Sequence, residues 1–478
     1  MKIYDKQFIG GQWVEGKSAT ILENKNPFTG DIIYKYRSAS IEDVNDAYKA
    51  AAAAQPAWAA TLIGDKQAMI LKLIDAIKEK REDIYACLLE EGGSTRGKCD
   101  MEFFSIMRTI QASSSFPMMM EGKIFNSSFP GKENYVFRKP KGVIGVIAPW
   151  NVPLVLAMRS VVPAIAAGNT VVLKPASDTP GSAFLIAEIF EKAGFPDGVF
   201  NAVAGKGSEI GDAFVENPIP SLISFTGSTE VGRNIGAMAG RMVKDMSLEL
   251  GGNNMMIVLD DANVQKAAVA AAFGANFHQG QICMGLNRII IVKERYEEFC
   301  SAYVEAVKRF PVGDPANPKT FIGPIISEAQ VKNIESLIEA SIKVGAKVAL
   351  EGRTEGNVMY PWVFRDVTND MPVAANEVFG PVSSLIKAED EENAINIAND
   401  TEYGLSGSVF TENLYRGMEV AKRIESGMTH VNDQSINEET HVMFGGEKFS
   451  GVGRFNFKWV LEKFTTEKWV SVQRGYRF

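Results

Sequence analysis

Cysteine and histidine are scarce: the 478 residues hold 4 of the first and 3 of the second. Cys87, Cys99, Cys283 and Cys300 form no CxxC pair, and His278, His430 and His441 are too scattered for a zinc site, so neither a disulfide framework nor a metal is expected. Reduced thiols imply a cytoplasmic address. A block of basic residues is also missing. With a net charge of −8 and a pI near 5.3, the chain is a poor partner for nucleic acid or an anionic membrane. The opening MKIYDKQFIGGQWVEGK lacks the apolar stretch of a signal peptide. The most apolar region, 142–173, is broken by Pro149, Asn151, Pro153, Arg159 and Pro163, which makes it core rather than membrane span. What remains is a globular composition, 46% hydrophobic and 23% charged, long enough for two or three domains and suited to a small-molecule ligand.

Along the chain, a β-rich entry gives way at Ser40-Ile41-Glu42-Asp43, a capping-box pattern, to a helix ending near Trp58. Helical spacing then predicts elements over 65–91 and 100–120, with Met118, Met119 and Met120 as core filler. The stretch 121–141 is polar, aromatic and aperiodic. From Gly142 strands alternate with helices, which predicts a parallel, doubly wound, Rossmann-like sheet with ligands at the carboxyl ends of its strands. A second alternating set starts at Met255 and reads as another α/β domain. The late strand TTEKWVSVQ (465–473) follows the second domain, so its edge calls for a partner, such as another subunit.

The residues able to do chemistry centre on FHQGQICMG (277–285), where Cys283 sits in a glycine-flanked turn between a helix (263–276) and a strand (288–293). Alone, such a thiol is as readily an inert small hydrophobe as a nucleophile. Four other pieces supply partners. Glu249, 34 residues earlier, precedes a glycine pair that marks a bend where a carboxylate faces a cleft. Asn151 follows the strand GVIGVIA and offers an amide for an oxyanion, together with the Cys283 N–H. Lys174 ends a strand where a ribose would lie. FTGSTEVG (225–232) runs from strand into a helix N-terminus suited to a pyrophosphate. By contrast GKGSEIG (205–211) resembles a dinucleotide fingerprint but has one residue too many.

FTGSTEVG, ELGGNN (249–254), FHQGQIC, EVFGPV (377–382) and FGGEKFSGVGR (444–454) occur in the order and approximate spacing of the aldehyde dehydrogenase superfamily, which the chain resembles over essentially its whole length. PWNVPLVLAMRS, KPASDTP and VNDQSINEETHVMFGG look most like its vanillin and benzaldehyde dehydrogenase branch. The resemblance implies a dinucleotide-binding domain over 1–120 and 141–250, a catalytic domain over 251–446, and a small β element, 121–140 with 447–478, that joins subunits of a homodimer or homotetramer. It further implies that Cys283 attacks an aldehyde, that Asn151 holds the alkoxide, and that Glu249 activates the water that hydrolyses a thioester. NAD or NADP would contact Lys174, Ser177, Trp150, Gly227, Ser228, Gly232, Glu377 and Phe379.

Many NAD-preferring relatives carry glutamate where this chain has Ser177, and that glutamate repels a 2′-phosphate. Serine removes the repulsion, so NADP is expected to be accepted alongside NAD, with Asp178 restoring some of it. The substrate wall is expected from Val152, Leu156, Arg159, Ile282, Met284, Ile436, His441 and Phe444. Its apolar character favours an aromatic or medium aliphatic aldehyde over a dicarboxylic semialdehyde such as succinate semialdehyde, although Arg159 could pair either with a substrate carboxylate or with one of the protein's own. A CoA-acylating relative is the other enzymatic alternative, disfavoured by the presence of Glu249; a binding-only protein is disfavoured because Cys283, Glu249 and Asn151 are all present.

Overall fold

The computed structural model describes residues 3–475. The capping box forms as expected. Ser40 Oγ accepts the Asp43 N–H at 3.1 Å, the Asp43 carboxylate accepts the Ser40 N–H at 2.7 Å, and the helix runs Ile41–Ala60. The helix expected over 65–91 is two, Ile63–Glu79 and Arg81–Gly92, parted at Lys80 and closed by left-handed Gly93. The third is Arg96–Ser113 with a separate 3₁₀ turn at Phe116–Met119. Met118 is exposed and Met119 and Met120 are only partly buried, so the methionine cluster lies at the margin of the core rather than filling it.

The alternation beginning at Gly142 builds the larger sheet. Its strands Val143–Ile147, Thr170–Lys174, Phe200–Ala202, Leu222–Thr226 and Asp245–Glu249 are parallel. Val143–Ile147 lies at the centre; the next two strands add on one side and the last two on the other. The order reverses there, so a crevice opens between the loops leaving Ile147 and Thr226. The helix Pro153–Ala166 has every residue buried, which accounts for the apolar run in the sequence. Strands Lys6–Ile9 and Gln12–Glu15 extend one edge. Gly451–Val452 closes the other, antiparallel to Asp245–Glu249 with Gly451 opposite Glu249.

The second sheet has seven strands, including Asn254–Val258, Leu286–Val292, Val382–Ala388 and Ser406–Phe410, all between residues 251 and 446. It starts where the first ends. Glu249 closes a strand of one sheet and Asn254 opens a strand of the other, so the carboxyl edge of the first sheet faces the amino edge of the second.

A third sheet pairs Lys132–Pro140 with both Lys123–Phe125 and Thr465–Gln473. The late strand pairs on one side within the chain, register Thr465 opposite Pro140 to Gln473 opposite Lys132, and stands at the edge of this sheet with its other side unpaired among the described residues. The C-terminal segment is also divided: Gly451–Val452 belongs to the first sheet, and only Thr465–Gln473 joins the small one.

Candidate active site

The helix Val264–Asn276 delivers the chain into a turn in which His278, Gln279 and Gly280 all take positive φ, 51°, 58° and 73°. Two non-glycine residues in the left-handed region need external fixing. Gln279 Nε2 donates to the Gly93 and Pro324 carbonyls at 3.3 and 2.9 Å, and Gln281 Oε1 accepts the Ile326 N–H at 3.0 Å. His278 is wholly buried, which pushes its pKa well below the usual range and keeps it neutral. The glycines serve chain packing rather than ligand approach: a Cβ on Gly280 would lie 2.2 Å from the Gly380 carbonyl. Packing also accounts for the glycine pair after Glu249. Neither has positive φ, but a Cβ on Gly252 would lie 2.5 Å from the Cys283 carbonyl oxygen and one on Gly251 would lie 2.3 Å from Glu377 Oε2. Asn254 Nδ2 donates to that same Cys283 carbonyl at 2.7 Å.

These contacts bring the sulfur, carboxylate and amide together. Glu249 is 1% exposed, neither carboxylate oxygen has a hydrogen-bond partner, and the nearest cation is Arg159, Nη2 to Oε2 at 3.6 Å. Burial raises its pKa to about 7, against weaker downward pulls from Arg159 and the Cys283 thiol. The thiol is pushed well above its ordinary value, first by burial and then by the Glu249 charge. Thiolate and carboxylate disfavour each other, so the two do not readily ionise together. Asn151 Nδ2 donates to the Gln281 carbonyl at 2.9 Å, two residues from the sulfur. Its loop is anchored by Glu102, whose carboxylate accepts the N–H groups of Leu154 and Val155 at 3.1 and 3.2 Å and pairs with buried Lys98.

Two cavities meet at this point. One, of about 300 Å³, is lined by Trp150, Asn151, Gly227, Ser228, Glu249, Cys283, Glu377 and Phe379. Glu377 Oε1 accepts the Gly252 N–H at 2.9 Å, and burial lifts the carboxyl to about 7. Phe379, held at φ 52°, meets Trp150 edge-on at 5.5 Å. Ser228 caps the helix Thr229–Arg241, leaving its N-terminus at the cavity. The other cavity, of about 660 Å³, takes in Val152, Leu156, Arg159, Ile282, Met284, Ile436 and Phe444, again with Cys283 on its wall.

Four expected residues do not line either cavity. His441 is exposed, 3.6 Å from Glu439, and does not line the large cavity. Gly232 is a packing position: a Cβ there would come within 2.2 Å of Leu250. Lys174 and Ser177 stand outside the smaller cavity, near the end of the neighbouring strand. Lys174 Nζ donates to the Pro175 carbonyl at 3.2 Å and is lowered to about 8 by burial, while Ser177 Oγ donates to the Gly205 carbonyl at 3.3 Å. The sequence reading missed an aromatic group on the large cavity: Phe273 and Phe277 stack at 5.0 Å, and Phe321 tilts against them at 5.7 and 6.0 Å. Phe273 and Phe277 show in the sequence as an i, i+4 pair beside the thiol; Phe321 comes from a distant loop with no local signal. Glu438 was missed as well.

A half-buried thiol, a carboxylate poised near neutrality and an amide, gathered between a doubly wound sheet and a second α/β domain, mark an enzyme of covalent carbonyl chemistry. The chain belongs to the aldehyde dehydrogenase family, whose profile matches residues 13–470. It is 49% identical to a vanillin dehydrogenase of Corynebacterium glutamicum, over 98% of this chain and 98% of that one. It is 48% identical to a benzaldehyde dehydrogenase of Bacillus subtilis, over 99% and 98%. Among solved structures, an NAD-dependent benzaldehyde dehydrogenase from Corynebacterium glutamicum is similar with a TM-score of 0.91 and 46% identity, over 98% and 97% of the two chains. No helix among the described residues is long and apolar enough to cross a membrane.

Proposed function

We propose that the protein oxidises aromatic aldehydes to carboxylates with a nicotinamide cofactor. The observation that carries this is the place of Cys283 on the wall of both cavities, beside Glu249 and Asn151. An aldehyde has no leaving group except hydride, so nucleophile and oxidant must reach one carbon from two sides. The smaller cavity fits the cofactor by its donor set: a helix N-terminus at Ser228 for phosphate, the half-buried Glu377 carboxylate for ribose hydroxyls and the Phe379 ring for the nicotinamide. The phenylalanine group beside the thiol favours a planar ring in the larger one.

Cys283 Sγ attacks the aldehyde carbon as thiolate, its proton passing to Glu249. Asn151 Nδ2, swung away from the Gln281 carbonyl, and the Cys283 N–H stabilise the alkoxide. When bound, the nicotinamide supplies the acceptor for the hydride that the carbon then releases. Glu249 passes the thiol's proton on to solvent and, ionised again, takes a proton from the water that cleaves the thioester; the sulfur leaves as thiolate and the acid departs as carboxylate.

NADP is accepted alongside NAD, supported by the uncharged Ser177 at the strand end; a kcat/KM ratio strongly favouring NAD would refute this. The small β sheet joins subunits, supported by exposed Ile124, Phe125, Phe137 and Trp469 on its strands; a monomer in sedimentation would refute that. The main test supplies benzaldehyde with NAD or NADP, with and without CoA, and follows the reduced cofactor. CoA-independent turnover supports the proposal, and no turnover across an aldehyde panel ends it.

A further inference from the structure

Arg159 is a cation held deep in the larger cavity, its side chain 2% exposed, with the guanidinium carbon 4.3 Å from the Phe444 ring centroid and 4.7 Å from that of Phe455. Such a group must be paired. Two carboxylates do so, one at each terminal nitrogen: Glu249 at 3.6 Å from Nη2 and Glu438 at 3.5 Å from Nη1. The two are not equivalent. Glu249 belongs to the chemistry, whereas Glu438 stands in a segment without regular structure, takes a second hydrogen bond from Asn456 Nδ2 at 3.3 Å and lies on the wall of the cavity. It also borders a separate cavity of about 380 Å³ behind that wall. Arg159 Nε and Nη2 are buried without a hydrogen bond, so donors remain open.

Resting on the aldehyde-oxidising function proposed above, we propose that Glu438 is a specificity-determining residue: by pairing with Arg159 it neutralises the only buried cation on the cavity wall among the described residues, and turns away aldehydes that carry a second, anionic group. With both carboxylates ionised, the three side chains carry a net charge of −1, so an incoming carboxylate meets repulsion as well as desolvation. A neutral ring with hydroxyl or ether oxygens meets neither, and its oxygens can accept from the open Arg159 donors. Arg108 and Lys319 also line this cavity, but both are exposed, so water and salt screen them and they contribute little to the choice. Without Glu438, Arg159 would keep one partner and offer a desolvated guanidinium fork to an anion.

The test compares kcat/KM for benzaldehyde with the best value among 2-, 3- and 4-carboxybenzaldehyde, in the wild type, Glu438→Gln and Glu438→Asp. In Glu438→Gln the ratio of carboxylated to plain substrate should rise about tenfold or more, carried by KM, and Glu438→Asp should return toward the wild type. A purely structural role would lower both substrates together and leave the ratio fixed, which would overturn the inference. If Glu438→Gln does not fold, wild-type inhibition decides: benzoate should bind about tenfold more tightly than any benzenedicarboxylate, and equal or reversed affinities would overturn the inference. A wild type that oxidises neither aldehyde refutes the proposed function itself, and this inference with it.

Discussion

Replacing Glu249 with glutamine removes a charge and a base while nearly preserving shape. The fold should survive, because Arg159 keeps Glu438 as a counter-ion at 3.5 Å and its place between Phe444 and Phe455. In the wild type the carboxyl is raised to about 7 by burial, and it accepts a proton only when ionised. Steady-state turnover should therefore climb with pH through the neutral range and level off above it. An ordinary surface carboxylate would put that limb more than two units lower, so the position of the limb reports the burial. Glu249→Gln should flatten the limb and reduce steady-state kcat by about 10²–10⁴, the range for a positioned general base. Stopped-flow absorbance of the reduced cofactor separates the steps. The variant should still produce a pre-steady-state burst approaching one equivalent per active site, formed more slowly because the thiol loses its proton acceptor, followed by a much slower phase, because thioester hydrolysis has no other base. A loss of burst and steady state in equal proportion, or a wild-type limb near pH 4.5, would refute the assignment.

Gly252→Ala should reduce kcat sharply with little change in cofactor affinity, since its Cβ would fall 2.5 Å from the Cys283 carbonyl oxygen and push the nucleophile aside; titration calorimetry alongside kinetics checks the split. Phe277→Ala should lower kcat/KM for benzaldehyde by roughly 10–200-fold while acetaldehyde suffers less, because the lost contact is ring area beside Phe273 and Phe321; equal losses would remove the aromatic group from the specificity argument. Glu377→Gln tests linkage. Its carboxyl stays protonated in the fold up to about 7 but ionises earlier in the unfolded chain, so the wild type loses stability as pH rises from the ordinary carboxylate range through 7. The variant should match the wild type near pH 4 and exceed it at pH 8 by up to ~3 kcal/mol in urea melts, and a pH-independent difference would contradict this.

The features legible in the chain were those with local causes. The Ser40–Asp43 capping box, the strand–helix alternation after Gly142 and the register-ready run 465–473 all reappear as structure because propensity and patterning decide them. The break at Lys80 escaped notice since helical periodicity continues across it; no glycine or proline marks the spot. Three site pieces, Cys283, Glu249 and Asn151, were picked out by residue type and motif, and their convergence depends on pairings that no local signal encodes: Gly252 under Cys283, Gln279 pinned to Gly93 and Pro324. The glycines of both motifs make room for neighbouring backbone and side chains, a packing cause that has no local signal. His441 misled because it neighbours real wall residues in sequence, yet the loop turns it to solvent, and Glu438, three positions away, turns inward instead.

The most direct measurement of the central assignment is mass spectrometry of the acid-quenched enzyme after mixing with benzaldehyde and NAD. In Glu249→Gln, a benzoyl group should accumulate on the peptide that contains Cys283, near one per chain, and be absent from Cys87, Cys99 and Cys300; in Cys283→Ala no peptide should carry it. Acylation at any other residue, or steady turnover by Cys283→Ala, would contradict the placement of the nucleophile.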